Sequence, residues 1–266
     1  MMYIDTHAHL NFQAFDNDYS QAIERAFANG VRGIINVGSN FETSKKALEI
    51  ANQYPLGVYA AVGLHPIHVN DEDFHEDEFI KLAKNKKVVA LGETGLDYYY
   101  DKSSADLQKE IFRKFLQMSN AVSKPVILHS RDAGEDILSV LMAQRPEPLG
   151  VMHCFQGNWQ YAKMVLDMGL YISFTGLITF SKNYPTFEVI KNAPLERLMI
   201  ETDCPFMSPA FVKTSAGKPE PHRGKRNEPA YVIEVARKIA EIKKIPLEKV
   251  AEQTTRNATN LFHLTG

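Results

Sequence analysis

Two histidines stand one residue apart near the start of the chain, in the segment IDTHAHL at residues 4–10. Side chains at positions i and i+2 of a β-strand point to the same face of a sheet. His7 and His9 could therefore converge on one point, as two ligands of a metal ion do. Two polar residues at the place where a strand ends would give the same spacing, so the pair alone does not decide between these interpretations.

Further histidines and carboxylates follow other short apolar runs. The segments GLHP, LHSRD and MHCF place a histidine there, and the segments GETGLD and ETDCP place an acid. Neutral imidazole and carboxylate are ligands of Zn, Mn, Fe and Co, and four histidines with two carboxylates suffice for two ions. The sequence therefore predicts a centre for two divalent metal ions, with these candidate ligands: His7, His9, Glu93, His129, His153 and Asp203.

A centre of this composition suits a particular chemistry. Two ions about 3.5–4 Å apart can clamp the attacking and the leaving oxygen of a displacement reaction. Two divalent cations exceed the charge of two carboxylates, and the remaining positive charge suits a hydroxide together with an anionic substrate such as a phosphodiester. The ligand set leaves the metal open among Zn, Mn, Mg, Co and Fe, although histidine-rich ligation favours a transition metal over Mg²⁺.

The elements that must position these residues follow from the hydrophobic pattern. The clearest helix has apolar residues at spacings of three and four, at Leu107, Ile111, Phe115, Met118 and Val122. Several other runs are almost continuously apolar, as parallel strands buried on both faces should be. The predicted strands are 2–7, 33–38, 58–64, 88–93, 125–130, 150–155, 170–176 and 198–203.

Eight strands, mostly followed by a helix, predict the α/β class and a single (β/α)8 TIM-type barrel domain over residues 1–266. A final helix pair, 229–243 and 247–261, adds an extra C-terminal helix. A doubly wound open sheet is the second interpretation, but it would normally use fewer strands at this length. In a barrel, chemistry sits at the carboxyl ends of the strands, which is where the candidate ligands stand.

The composition of the chain argues against several classes of protein. The chain has 266 residues and a formal net charge of −2 at pH 7, so we expect no extended nucleic-acid-binding face and no attraction to an anionic membrane. No apolar stretch approaches about 18 residues, which predicts no membrane span. Two cysteines are too few for a disulfide framework. We expect a cytoplasmic monomer that meets DNA or another phosphodiester through a local site only.

Four residues are candidates for contacts with an anionic substrate. His65 could touch a phosphate or be satisfied by a loop backbone, and Arg131 could pair with phosphate oxygens or with a neighbouring acid. Arg223 and Arg226 belong to segment 204–228, in which five cationic side chains stand against two carboxylates. Such a segment could hold a nucleic-acid backbone by charge, and a solvated loop is the alternative.

Aromatic and cysteine residues near the predicted rim have simpler interpretations. Stacking on unpaired bases would suit a nuclease that accepts single strands, but packing against the barrel is favoured for each ring. The rings are Tyr98, Tyr99, Tyr100, Phe155, Trp159 and Phe206. Strand alternation predicts that Cys154 points away from the metal centre, so Cys154 and Cys204 are interpreted as small apolar residues.

Taken in order, the motifs resemble those of the TatD family of metal-dependent deoxyribonucleases, within the amidohydrolase-like group of barrel hydrolases. They are IDTHAHL, VGLHP, GETGLDYYY, ILHSRDA, HCFQG, ETDCPF and KRNEP, and they span residues 4–229. The resemblance implies that DNA phosphodiester bonds are the substrate. It also implies that one ion is bound by His7, His9 and Asp203 and the other by His129 and His153, with Glu93 bridging the two.

The resulting hypothesis is that an activated water attacks phosphorus, with Asp203 as the proton acceptor and Glu93 as a catalytic ligand. Two other functions remain open at this stage. One is a two-metal hydrolase of another bond, such as the ester of a mischarged aminoacyl-tRNA, and the other is a metal-dependent binding protein without turnover. The positive charge of segment 204–228 favours an anionic substrate but does not separate DNA cleavage from deacylation.

Overall fold

The computed structural model describes residues 1–180, 186–213 and 219–264. Eight parallel strands form one sheet in which each strand pairs with the next along the chain. The strands are β1 Tyr3–Ala8, β2 Val31–Val37, β3 Val58–Val62, β4 Val88–Asp97, β5 Val126–Arg131, β6 Val151–Met152, β7 Tyr171–Phe174 and β8 Leu198–Ile200. The helices between them are α1 Tyr19–Ala28, α2 Phe41–Gln53, α3 Glu76–Ala83, α4 Ala105–Val122, α5 Gly134–Ala143, α6 Trp159–Asp167 and α7 Thr186–Asn192.

Backbone and side-chain hydrogen bonds join the last strand to the first. The Asp203 N–H donates to the His7 carbonyl at 2.8 Å, and the His9 N–H donates to the Cys204 carbonyl at 2.8 Å. Deeper in the seam, the Thr202 hydroxyl donates to the Asp5 carboxylate at 2.6 Å. These bonds bring β8 alongside β1, so the sheet forms a nearly closed cylinder. The predicted TIM-type barrel is confirmed, and the open sheet is excluded.

Two apolar cores hold the barrel. The larger core lies between the strands and the surrounding helices, where Phe112 and Phe115 of α4 are fully buried. The smaller core fills the cylinder, and Leu261 and Phe262 pack into it. Those two residues belong to α9 (Leu247–Phe262), which follows α8 (Val232–Lys243). The predicted extra C-terminal helix is therefore present, and it contributes its last turn to the barrel interior.

Segment 204–228 differs from its prediction as an irregular loop. It contains a two-stranded antiparallel ribbon, β9 (Phe211–Lys213) with β10 (Pro219–Pro221). Strands of three residues, one of them with proline at both ends, show no alternating pattern in the sequence, so the ribbon could not be read from it. Lys218, one of the five predicted cations, lies outside the described residues.

Among the helices of residues 1–180, 186–213 and 219–264, none has both the length and the apolar character that a membrane span requires.

Candidate metal centre

Glu93, on the fourth strand, lies at the centre of a cluster of imidazoles at the carboxyl end of the barrel. Its Oε1 atom lies 2.6 Å from His153 Nε2 and 2.7 Å from His129 Nδ1. Its Oε2 atom lies 3.3 Å from His7 Nε2 and 3.9 Å from His9 Nε2. One carboxylate therefore divides its two oxygens between two pairs of histidines.

The first donor group consists of His7, His9 and Asp203. Asp203 Oδ1 lies 3.3 Å from His9 Nε2 and 3.8 Å from His7 Nε2. His9 Nδ1 lies 2.8 Å from the Val37 carbonyl, which accepts only if that nitrogen carries the proton. The Nε2 atom then presents a lone pair to His7 Nε2 at 3.1 Å. Two nitrogens this close are stable only with a proton or a metal cation between them, and the carboxylate beside them favours such a cation.

The second donor group consists of His129, His153 and Glu93, and two further acids lie behind the imidazoles. Asp97 Oδ2 lies 3.0 Å from His129 Nε2, the nitrogen that faces away from Glu93. Glu201 Oε1 lies 3.4 Å from His153 Nδ1, a contact that is long for a hydrogen bond. A carboxylate on the outer nitrogen of a metal-ligating histidine fixes which nitrogen carries the proton and orients the ring.

The sequence analysis does not predict Asp97 or Glu201, because it considers a single histidine or acid at most strand ends. A signal was present for Glu201, which stands two residues before Asp203 within the predicted strand 198–203, a spacing at which strand alternation places both side chains on the same face. Asp97 stands four residues after Glu93, beyond the predicted strand 88–93. It lies on the strand only because β4 extends to Asp97 in the structure.

Close approach between strands depends on glycine at one position next to the centre. Gly95 pairs with His129 across β4 and β5. Its φ is +145°, and a Cβ atom there would lie 2.1 Å from the His129 carbonyl oxygen. Any other residue would push the two strands apart. Gly95 therefore lets β5 present His129 within 2.7 Å of Glu93.

The pKa values of the acids and histidines in the centre depend on one another. Burial on its own would raise the pKa of Glu93, but the imidazoles around it, His153 foremost, hold that pKa well below its ordinary value. Burial would lower the pKa of His153, yet Glu93 and Glu201 raise it well above its ordinary value. Burial would likewise raise the pKa of Asp203, but its hydrogen bond with His9, together with the nearby histidines, outweighs this effect, and the pKa lies below its ordinary value. The carboxylates thus require positive charge beside them, and divalent cations fit this donor set.

Both donor groups open into one cavity of about 490 Å³ at the barrel mouth. Its polar lining includes His9, His65, Glu93, His129, His153 and Asp203. Asp203 has a φ of +55°, a left-handed backbone that is uncommon for residues other than glycine and that is typical of functional sites. A volume of this size lies in the range of small-ligand sites, about 300–1,000 Å³.

The family of the chain follows from a comparison with known sequences. A family model described as TatD related DNase matches residues 4–263. The chain belongs to the TatD family. The predicted resemblance is confirmed.

Individual members of the TatD family resemble this chain over its whole length. It is 43% identical over 265 residues to the metal-dependent hydrolase YabD of Bacillus subtilis, covering 99% of this chain and 100% of that protein. It is 33% identical to the 3′-5′ ssDNA/RNA exonuclease TatD of Salmonella typhimurium, covering 98% of each. The crystal structure of the Escherichia coli TatD homologue YjjV superposes with a TM-score of 0.88 at 29% identity, covering 99% of this chain and 98% of that one. The prediction of a metal-dependent hydrolase is confirmed.

In this TatD-family site, His65 combines the two interpretations that the sequence left open. Its Nδ1 accepts the Ile67 N–H at 3.1 Å, as a histidine satisfied by a loop does. Its Nε2 lies in the cavity, 3.4 Å from Glu93 Oε1. Burial, together with nearby His129, lowers the pKa of His65 to about 3. A neutral His65 whose Nδ1 is an acceptor carries its proton on Nε2, which lies at the edge of the donor cluster, also 3.3 Å from His129 Nδ1.

The structure separates the three predicted arginines. Arg131 lines the cavity, and its guanidinium stacks on the Tyr99 ring, with Cζ 3.5 Å from the ring centroid. Arg223 is exposed and lies over the Phe180 ring, 5.3 Å from the centroid. Neither arginine forms an ion pair with a carboxylate among the described residues.

The prediction that Arg226 is a free cation able to bind a nucleic-acid backbone is wrong. Its guanidinium donates to both carboxylate oxygens of Asp18, at 2.7 and 2.6 Å, and to Glu228 at 3.0 Å. These contacts tie the segment to the N-terminus of α1 and leave Arg226 as a structural residue. Asp18 is 208 positions away in the sequence, so the pairing could not be read from local charge balance.

Cys154 also departs from its prediction. It lines the cavity rather than pointing away, because the sixth strand ends at Met152 and the backbone at Cys154 has a φ of +44°. Strand alternation therefore does not extend to this residue. Burial, with nearby Asp203, raises the pKa of Cys154 to about 12, so its thiol stays protonated. Cys204 is fully buried, as an apolar residue would be.

Proposed function

We propose that this TatD-family protein hydrolyses phosphodiester bonds of DNA at a centre for two divalent metal ions. The observation that carries the proposal is the division of the Glu93 carboxylate, with Oε2 facing His7 at 3.3 Å and Oε1 facing His153 at 2.6 Å. Two donor groups that share one carboxylate match what a pair of ions a few ångströms apart requires. His9 and Asp203 would complete the first site, and His129 the second.

Divalent cations bound at this centre would supply Lewis-acid stabilisation of phosphate charge and would make a nearby water more acidic. The nitrogen-rich donor set favours Zn, Mn, Co or Fe over Mg in affinity. Asp97 and Glu201 add negative charge behind the histidines. This extra charge supports the binding of cations rather than of neutral ligands.

Three side chains that line the cavity would accept the proton of the attacking water and bind the substrate phosphate. Asp203 lines the cavity within 3.3 Å of His9 Nε2, so its carboxylate stands at the edge of the first donor group and is the proposed proton acceptor for the attacking water. His65 presents a donating Nε2–H to the cavity and would hold a phosphate oxygen. Arg131, which also lines the cavity, would add a positive charge for the substrate backbone.

A single strand or a chain end is the form of DNA that we propose as substrate. A cavity of about 490 Å³ accommodates about one nucleotide with its phosphate and is far smaller than a duplex. Phe206, 52% exposed, stands at the mouth beside Phe12, with ring centroids 6.2 Å apart. Exposed rings of this kind stack on unpaired bases. The name of the Salmonella relative, a 3′-5′ ssDNA/RNA exonuclease, supports the same substrate class.

The test is a cleavage assay with single-stranded oligodeoxynucleotides labelled at the 5′ or the 3′ end, in Mg²⁺, Mn²⁺ or Zn²⁺. We expect metal-dependent shortening that chelation abolishes, and a faster reaction on single strands than on a blunt duplex. Protein with Asp203→Asn, purified identically, controls for contaminating nucleases. Release of the amino acid from aminoacyl-tRNA without any cleavage of DNA would contradict the proposal and favour deacylation.

A further inference from the structure

A second cavity adjoins the metal centre at the carboxyl ends of β4, β5 and β6. It has a volume of about 420 Å³. His153, Ser130, Arg131 and Gln156 line both this side chamber and the main cavity. A ligand whose phosphate lies at the metal centre could therefore extend directly into the side chamber.

The far wall of the side chamber is aromatic. The Phe155 and Tyr161 rings are stacked, with centroids 5.4 Å apart and planes at 24°. The Tyr161 hydroxyl is held 3.0 Å from the Ser130 hydroxyl, which fixes the ring. Phe155 is buried and packs against Phe174 in the main core. Ring stacking, a hydroxyl contact and burial therefore hold these two rings in place.

The near wall combines an aromatic ring with a positive charge. The Arg131 guanidinium lies over the exposed Tyr99 ring, with Cζ 3.5 Å from the ring centroid, and the Tyr100 ring is farther from it, at 5.6 Å. Arg131 has no carboxylate within ion-pair distance among residues 1–180, 186–213 and 219–264. Its charge is therefore available for a ligand, and stacking on Tyr99 orients it without neutralising it.

The near wall is also joined to the metal centre. Asp97 pairs with Arg131 across β4 and β5. One Asp97 oxygen accepts the Tyr99 N–H at 3.0 Å, and the other lies 3.0 Å from His129 Nε2. A single carboxylate thus fixes both the metal-facing histidine and the turn that places Tyr99 over Arg131. The spacing between the metal centre and the chamber is set by the strands themselves.

We propose that the side chamber binds the nucleobase of the nucleotide next to the bond that is cleaved, with Tyr99 and Arg131 on one side of it and Phe155 and Tyr161 on the other. The proposal rests on the proposed function, because it takes the metal centre as the place of the phosphate. Two aromatic walls suit a flat heteroaromatic ring. Phe206 follows β8, which lies half the barrel circumference away from β4, so an extended strand would cross the metal centre between two stacking surfaces.

The experiment compares two probes by calorimetry on the metal-loaded protein. The probes are dAMP and 2-deoxyribose 5-phosphate, which share the sugar phosphate and differ in the base. Since one stacked base is worth about tenfold in affinity, wild-type protein should bind dAMP about 10-fold more tightly. Tyr99→Ala and Arg131→Met should lose most of this preference, and Tyr100→Ala, at the neighbouring and more exposed ring, should keep it. Thermal unfolding of each variant establishes that it folds.

Outcomes for the chamber and for the nuclease proposal are distinguishable. Equal affinity of the wild type for the two probes, no measurable dAMP binding, or a preference that survives in both Tyr99→Ala and Arg131→Met overturns the chamber proposal. If the base preference is found as expected in a protein that does not cleave DNA, only the proposed function fails. If DNA is cleaved but the preference is absent, only the chamber proposal fails.

Discussion

Glu201 supports His153 from the side of the ring that faces away from Glu93. Its Oε1 atom lies 3.4 Å from His153 Nδ1 and accepts the Cys154 N–H at 2.6 Å. Its Oε2 atom accepts the Ser173 hydroxyl at 2.6 Å. The carboxylate thus ties the end of β6 to β7, and it places a negative charge beside the outer nitrogen of His153.

Replacing Glu201 with glutamine should weaken metal binding without unfolding the barrel. Loss of the carboxylate behind a ligating histidine typically costs about 10–100-fold in metal affinity or activity, whereas glutamine retains the size and part of the hydrogen bonding. Competition with a chromogenic chelator measures the affinity of the metal-free protein for Zn²⁺. The matched control is Glu252→Gln, an exposed glutamate of α9 that pairs with Arg256. Equal effects of the two substitutions would remove the role assigned to Glu201.

Asp203→Asn should abolish turnover while the folded barrel persists. Asparagine tolerates the left-handed backbone at φ +55° as well as aspartate does, so the substitution removes the proton acceptor without straining the chain. A loss of about 10²–10⁴-fold in kcat is expected for a general base. Circular dichroism and the melting temperature of the metal-free variant establish that it is folded. Near-wild-type activity in a folded variant would rule out the assigned role.

Arg223 and Arg226 allow a matched test of charge in segment 204–228. Arg223 is exposed and not ion-paired in the described part of the chain, so Arg223→Gln should raise KM for DNA and flatten the dependence of log KM on log salt by about one unit of slope. Arg226→Gln should leave that slope unchanged, because Asp18 and Glu228 already neutralise Arg226. Measuring KM for DNA at a series of salt concentrations, for wild type and both variants, tests these two expectations. Identical slopes for wild type and Arg223→Gln would mean that this cation does not meet the backbone.

The pair of Arg226 with Asp18 should make a pH-dependent contribution to stability. The hydrogen bond from Arg226 lowers the pKa of Asp18 below its ordinary value of 3.8. A carboxyl group whose pKa is lower in the folded than in the unfolded state adds stability above the unfolded pKa and loses it as the pH falls through the folded pKa. Asp18→Asn should therefore cost about 1 kcal/mol at pH 7 and progressively less below about pH 4.

Urea unfolding of wild type and Asp18→Asn at pH 7 and at pH 3 measures this difference. Asp167→Asn, which removes an exposed pair with Lys163 on α6, is the control and should have a smaller effect at pH 7. A destabilisation by Asp18→Asn that is the same at both values of pH would show that the charge of Asp18 is not what stabilises the segment.

The sequence predicted the barrel well because its signals are local. Each buried parallel strand is a short apolar run, and the parallel arrangement sends every carboxyl end to one rim, so Glu93 and His129 meet although nothing in their spacing requires it. Strand ends were less predictable. The 150–155 run becomes a strand of only two residues, since the backbone turns into the left-handed region at Cys154.

Long-range partners account for the rest of what the sequence did not predict. The ion pair of Arg226 joins residues 208 positions apart, and local charge counting interpreted the same arginine as a free cation. The stacking of Arg131 on Tyr99 depends on the register of β4 against β5. The acids nearest to Arg131 in the sequence, Asp132 and Glu135, form no ion pair with it among the described residues.

The central claim is that Glu93 is shared between two divalent cations, and anomalous diffraction from crystals grown with Mn²⁺ or Zn²⁺ tests it most directly. We predict two anomalous peaks about 3.5–4 Å apart, one beside His7, His9 and Asp203 and one beside His129 and His153, with a Glu93 oxygen next to each. A single peak at saturating metal, or peaks that do not contact Glu93, would contradict the account.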